Sequence, residues 1–116
     1  MIAIIDYDAG NIKSVEKALV SLGQEIILTR DRETILHADK IILPGVGAFG
    51  EAMARLNEYG LVEVIHEAVE RGIPFLGICL GLQLLFESSE ESPGVEGLGV
   101  LKGKILRIPD QEGLKI

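Results

Sequence analysis

Short aliphatic runs alternate along this chain with amphipathic stretches of helical period, and that alternation restricts the fold more than any other feature. Ile2–Ile5 reads as a strand closed by Asp6 and a polar loop from Tyr7 to Asn11. Asn11 is placed as the N-cap of a helix that carries Ile12, Val15, Leu19 and Leu22 on one face and ends at Gly23. Glu25–Thr29 and Ile41–Leu43 read as further strands, with a short helix expected somewhere between Arg30 and Asp39. A glycine-rich loop, Gly45 to Gly50, precedes helical segments at Glu51–Leu56 and Leu61–Arg71. Pro74–Ile78 reads as a fourth strand running into Cys79 and an amphipathic segment, Leu80–Phe86. Glu87 to Gly99 reads as loop, and Gly103–Ile108 as a last strand.

Strands joined through helices by short turns imply βαβ units. The expected fold is therefore α/β, a doubly wound, mostly parallel, flavodoxin-like sheet with helices on both faces, in a single domain over residues 1–116. Apolar residues make up 47% of the chain and aromatics 4%, so Ile, Leu and Val must fill the core, as suits buried parallel strands. In such sheets ligands gather beyond the carboxyl ends of the strands. The loops after Asp6, after Leu43 and at Cys79 all fall at that edge.

Composition removes several function classes. A net charge of −7 leaves no basic face for nucleic acid or for an anionic membrane surface. The longest apolar stretch, Ile73 to Phe86, is broken by Pro74, glycines and Gln83, too short and too interrupted to span a bilayer. One cysteine allows no internal disulfide framework, and the amino terminus lacks the pattern of a signal peptide, so a cytoplasmic location is expected. One cysteine and two separated histidines give no metal-ligand spacing.

The chemistry concentrates in Gly77-Ile-Cys-Leu-Gly81. A nucleophile framed by glycines two residues to either side, between a buried strand and a helix, is the pattern of a nucleophile elbow. The sharp turn brings neighbouring backbone too close for a Cβ at the framing positions. It also aims the amide after the nucleophile, that of Leu80, where an oxyanion develops. The competing reading of a lone cysteine is a small buried hydrophobe; the glycine framing and the strand-to-helix position favour the elbow.

Pro44-Gly-Val-Gly-Ala-Phe-Gly50 matches a dinucleotide-binding fingerprint literally, but it follows the third strand instead of the first. No acidic residue ends the strand that follows. A bare tight turn and an amide-bearing loop that faces the elbow are the remaining readings, and glycines let such a backbone reorient to supply a second oxyanion donor. His37 and His66 sit away from any strand's carboxyl end and read as structural. Glu87, Glu90 and Glu91 read most simply as a solvated acidic loop.

Three segments together resemble one family. Ile4-Ile-Asp-Tyr-Asp-Ala-Gly-Asn-Ile-Lys-Ser-Val15, Leu43-Pro-Gly-Val-Gly-Ala-Phe-Gly50 and Gly77-Ile-Cys-Leu-Gly-Leu-Gln-Leu-Leu-Phe-Glu87 look like the glutaminase subunits of imidazole glycerol phosphate synthase, within the class I glutamine amidotransferases of histidine biosynthesis. The resemblance implies that Cys79 attacks the side-chain amide of glutamine, expelling ammonia and leaving a glutamyl thioester for water to hydrolyse. By the same resemblance, Leu80, Val46 and Gly47 supply the oxyanion hole, and Gly45, Gln83 and Glu91 contact substrate. No cofactor is implied. The ammonia would pass to a (βα)8-barrel cyclase subunit in a heterodimer, with Tyr7 and Asn11 in the loop facing it.

Two departures accompany the resemblance. The family's catalytic His and Glu, one residue apart in a carboxy-terminal segment, have no counterpart here, so these 116 residues are expected to be a fragment with essentially no turnover. Asp8 also stands where many relatives carry a small residue. Three rival readings remain: an amidotransferase serving another acceptor, such as chorismate or a pyridoxal precursor; a non-catalytic docking domain; and a cysteine hydrolase or redox sensor using the same elbow.

Overall fold

The computed structural model describes residues 1–106. A four-stranded parallel sheet is built from β1 (Ile2–Ile5), β2 (Ile26–Thr29), β3 (Lys40–Leu43) and β4 (Phe75–Gly77) in the order β2-β1-β3-β4. Ile5 pairs with Thr29 and Leu43 with Gly77, so the carboxyl ends of the strands line up along one edge. The chain leaves β1 in one direction to form β2 and returns on the other side as β3. The loops after β1 and β3 therefore diverge at a topological switch point, the place where open α/β sheets hold ligands.

Alternation along the strands divides the core. Ala3, Ile5, Ile41 and Leu43 point to one face, where they meet α2 (Arg32–Leu36), α3 (Phe49–Glu58), α4 (Leu61–Glu70) and α5 (Leu80–Leu84) through residues such as Ile35, Phe49, Leu56, Ile65 and Leu84. Ile2, Ile4 and Ile42 point to the other face and pack on Val15, Ile12 and Leu19 of α1 (Ile12–Ser21). Each fully buried Ile or Leu contributes about 1.5–3 kcal/mol relative to an exposed one. This is the doubly wound fold expected from the sequence. Helix α1 ends as its glycine dictates: Gly23 adopts φ +78, its amide bonds to Val20 and that of Gln24 to Leu19, which closes the last turn.

On its outer side β4 pairs with no described strand, and Leu76 is 55% exposed beside Phe75 and Leu82 in a shallow apolar hollow.

Several boundaries differ from the sequence reading. Helix α3 starts at Phe49, inside the expected glycine loop, because Phe49 is fully buried and the amide of Gly50 bonds to Ser92 Oγ at 2.9 Å. The loop expected from Glu87 to Gly99 contains a two-residue strand, β5 (Ser88–Ser89), parallel to β6 (Lys104–Ile105). The last strand was placed at Gly103–Ile108, and its final two residues lie outside the described residues. Asn11 does occupy the N-cap position, but its side chain makes no capping bond, and Oδ1 is buried with no partner among the described residues. The true side-chain cap belongs to α2: Asp31 accepts from the Thr34 amide at 3.0 Å and from its hydroxyl at 2.8 Å. Those two bonds, the hydroxyl first, hold the Asp31 carboxyl below the usual carboxylate range.

Candidate active site

The elbow forms between β4 and α5. Cys79 lies there at φ 55, ψ −124, backbone space that L-residues rarely enter, and it is exposed. Its framing glycines are required by contact. A Cβ on Gly81 would lie 2.0 Å from the Leu43 carbonyl oxygen, and one on Gly77 would lie 2.8 Å from backbone atoms of Gly81 and Leu82. The turn is thus pressed against the end of β3, where Ile78 donates its amide to the Leu43 carbonyl at 3.0 Å.

The loop after β3 meets the elbow directly. Pro44 and Gly45 are buried, whereas Val46 and Gly47 are exposed and Gly47 adopts φ +90. A Cβ on Gly45 would lie 2.7 Å from the Gly81 amide nitrogen and 2.7 Å from the Tyr7 hydroxyl. The amide of Leu80 donates to the Gly45 carbonyl at 3.1 Å. The donor assigned from sequence to an oxyanion therefore holds a carbonyl oxygen in this structure.

One turn into α5, Gln83 lines a hollow of about 460 Å³ with Ser89, Glu90, Glu91, Ile105 and Leu106. Gln83 and Glu91, assigned to substrate by the resemblance, share this wall. Glu91 donates its amide to Ser89 Oγ at 3.2 Å, while Glu87 stands apart and accepts from the Gly103 amide at 2.8 Å. The strand β5, which the sequence reading missed, is what presents Glu90 and Glu91 here. Its only signal was Ser88–Ser89 in a polar stretch, too short to show a period.

Tyr7 and Asn11, assigned by resemblance to a partner-facing loop, both lie in the connection between β1 and α1. Tyr7 is 3% exposed and donates its hydroxyl to the Pro44 carbonyl at 2.5 Å. Burial pushes its pKa up to about 12. Asn11 is half-buried; the exposed members of this loop are Asp8 and Gly10. Asp8 adopts φ 70, and its carboxylate accepts from Tyr59 and, at 3.2 Å, from Arg30. The Tyr59 hydroxyl above all, then Arg30, holds that carboxyl below its ordinary value. The Arg30 guanidinium stacks on the Tyr59 ring at 3.9 Å. Between this loop and Val46 lies a cleft of about 170 Å³ that Glu51 and Arg55 also line.

Neither histidine belongs to the elbow. His37 caps α2 and bonds through Nδ1 to the Glu33 carbonyl at 2.7 Å; His66, on α4, bonds through Nε2 to the Leu98 carbonyl at 2.5 Å. Among the described residues, no cluster of three His, Cys, Asp or Glu side chains could hold a metal ion, and no helix is long and apolar enough to cross a membrane.

A thiol at a strand-to-helix elbow, at the carboxyl edge of a doubly wound parallel sheet and beside a glycine loop from the next strand, has the layout of an acyl-transfer nucleophile. The comparisons agree: residues 3–114 match the family model of class-I glutamine amidotransferases, and the chain belongs to that family. Among curated proteins it is similar to imidazole glycerol phosphate synthase subunit HisH of Bacillus cereus (strain G9842), 58% identical over 93% of this chain and 52% of that one. It is likewise similar to subunit HisH 1 of Methanococcus maripaludis, 52% identical over 97% of this chain and 57% of the relative. A solved glutamine amidotransferase superposes on 92% of this chain and 57% of its own length, with a TM-score of 0.77 and 26% identity. The chain spans about half the length of the curated relatives it matches.

Proposed function

We propose that the chain supplies the nucleophile-bearing half of a glutamine amidotransferase subunit that feeds ammonia to imidazole glycerol phosphate synthesis. The observation that carries this reading is Cys79 at φ 55 between Gly77 and Gly81, pressed on the Pro44–Gly47 loop. Such an elbow presents its sulfur to a bound acyl group. The identity of 52–58% to the HisH subunits supports the acceptor pathway over chorismate or pyridoxal branches.

In this mechanism Cys79 Sγ bonds to the carboxamide carbon of glutamine and the carbonyl oxygen takes the negative charge. The C–N bond then breaks, and nitrogen leaves as ammonia once protonated. Water cleaves the resulting thioester to glutamate and regenerates the thiol. The His and Glu that would shuttle those protons belong, by the resemblance, to a carboxy-terminal segment of the family. Gln83 and Glu91 bind the amino-acid end of the substrate from the hollow they share. Gly45 lines the approach to the sulfur.

The oxyanion hole is closed in this arrangement, because the Gly45 carbonyl occupies the Leu80 amide. Turning the Gly45–Val46 peptide by about half a rotation withdraws that oxygen and brings in the Val46 amide as second donor, with Gly47 following. Val46 is exposed and Gly47 already has positive φ, so side-chain packing does not block the turn. A (βα)8-barrel cyclase subunit that docks over the exposed Asp8, Gly10 and Val46 would drive it and receive the ammonia. A cytoplasmic location goes with this pathway.

The test uses the product of the whole reading frame. Exposure to a glutamine-mimicking electrophile should add one adduct by intact mass, absent from Cys79→Ser. Ammonia release should rise when the cyclase subunit and its ribulosyl phosphate substrate are added. An unmodified mass would sink the catalytic reading and leave a docking domain. An adduct without cyclase-dependent activation would move the protein to another acceptor.

A further inference from the structure

Tyr7 reaches the oxyanion loop from the neighbouring loop after β1. Its hydroxyl donates to the carbonyl of Pro44, 37 positions along the chain, at 2.5 Å. That carbonyl belongs to the peptide immediately before Gly45, whose own carbonyl holds the Leu80 amide. Gly45 is wedged between two surfaces, since a Cβ there would meet the Tyr7 hydroxyl on one side and the Gly81 amide on the other. Tyr7 is itself immobilised. Its ring is buried, and the next residue, Asp8, is tied down at positive φ by Tyr59 and Arg30.

We infer that Tyr7 is a positioning residue for the oxyanion loop: its hydroxyl fixes the Pro44–Gly45 peptide, so that the Gly45–Val46 peptide turns about a stationary pivot. This rests on the glutaminase reading and deepens it. Pro44 contributes a ring-locked φ to the same pivot. With both constraints in place, rotation is confined to ψ of Gly45 and φ of Val46. The incoming Val46 amide must arrive about 2.7–3.1 Å from the developing oxyanion, and a drifting anchor spreads that distance. The phenol is neutral and able to donate throughout the neutral range, because burial moves its ionisation toward pH 12. The same hydrogen bond links the first loop to the oxyanion loop, so displacement of one is felt by the other.

The test is Tyr7→Phe, made in the product of the whole reading frame and assayed with the cyclase subunit, with the folded fraction fixed by circular dichroism. Loss of the anchor is expected to lower kcat for glutamine hydrolysis about tenfold while KM for glutamine stays within about twofold. Alkylation of Cys79 by iodoacetamide, which needs no oxyanion hole, should proceed at the wild-type rate. A lower melting temperature with full kcat per folded molecule would overturn the pivot and leave Tyr7 a structural residue. A wild-type protein that takes up the electrophile yet never hydrolyses glutamine would overturn the glutaminase reading, and the pivot with it.

Discussion

The amide of Leu80 and the carbonyl of Gly45 are hydrogen-bonded at 3.1 Å, so the donor next to the nucleophile is capped by the loop of the neighbouring strand. Two loops that bring no charge to each other are thereby joined at the elbow. In the proposed mechanism a flip of the Gly45–Val46 peptide frees that amide, because glycine lets the backbone turn without moving the elbow. The elbow itself cannot give, since Gly81 has no space on the side of Leu43.

Cys79 stores strain that its thiol does not require. A residue with a Cβ at φ 55, ψ −124 costs on the order of 1–3 kcal/mol, against about 0.5–1 kcal/mol of extra chain entropy lost when glycine occupies the same place. Because the side chain is exposed, little packing is lost on truncation. Cys79→Gly is expected to be more stable than Cys79→Ala by about 1 kcal/mol in urea titrations. Equal stability of the two would show that the turn is relaxed.

Gly81 presents the opposite case. Its missing Cβ would fall 2.0 Å from the carbonyl oxygen of Leu43, a backbone atom fixed by the amide of Ile78. Gly81→Ala must therefore pry α5 from β3, and a loss of about 3 kcal/mol or more is expected in denaturant unfolding. The electrophile should also fail to modify Cys79 in that variant at the wild-type rate. A stable, reactive Gly81→Ala protein would mean the elbow can tilt freely.

Asn11 gives the plainest measure of how far local patterns reach. A polar residue ahead of an amphipathic run reads as an N-cap, and it does stand at the cap position, but its Oδ1 is buried and unpartnered among the described residues. A working cap is worth about 1 kcal/mol; Asn11→Ala is expected to change stability by less than about 0.5 kcal/mol or to increase it. A loss near 1 kcal/mol in thermal unfolding would restore the capping role.

The four strands of the main sheet and the glycine framing of Cys79 were legible because they depend on neighbours in sequence, whereas Leu22, placed on the packed face of α1, lies just past the helix and is 72% exposed. Ile2, Ile4 and Ile42 against Ala3, Ile5, Ile41 and Leu43 is a period of two that any aliphatic run displays. What stayed hidden depends on contacts across the fold. Phe49 looked like loop because it sits among glycines, and only its burial makes it helical. The pair β5 and β6 exists because the chain returns to Ser88 from Lys104, a register that two serines cannot announce. The cap on Leu80 and the bond from Tyr7 to Pro44 span 35 and 37 positions, so no motif within either segment encodes them.

Tyr7 also predicts how stability depends on alkali. In the folded protein its ionisation is raised to about 12 by burial, against about 10 for an exposed phenol. A raised value means that the unfolded chain gives up the proton first as pH increases. The stabilisation tied to the neutral phenol is therefore complete below pH 10 and drains away between pH 10 and 12. Two units correspond to about 2–3 kcal/mol. Other groups that titrate in this window are common to Tyr7→Phe, so the difference between the two proteins isolates the phenol. Unfolding free energies measured from pH 8 to 12 should converge as the wild type loses its advantage above pH 10. Parallel curves would show that the hydroxyl reaches water, and with it that the bond to Pro44 is too weak to hold the loop.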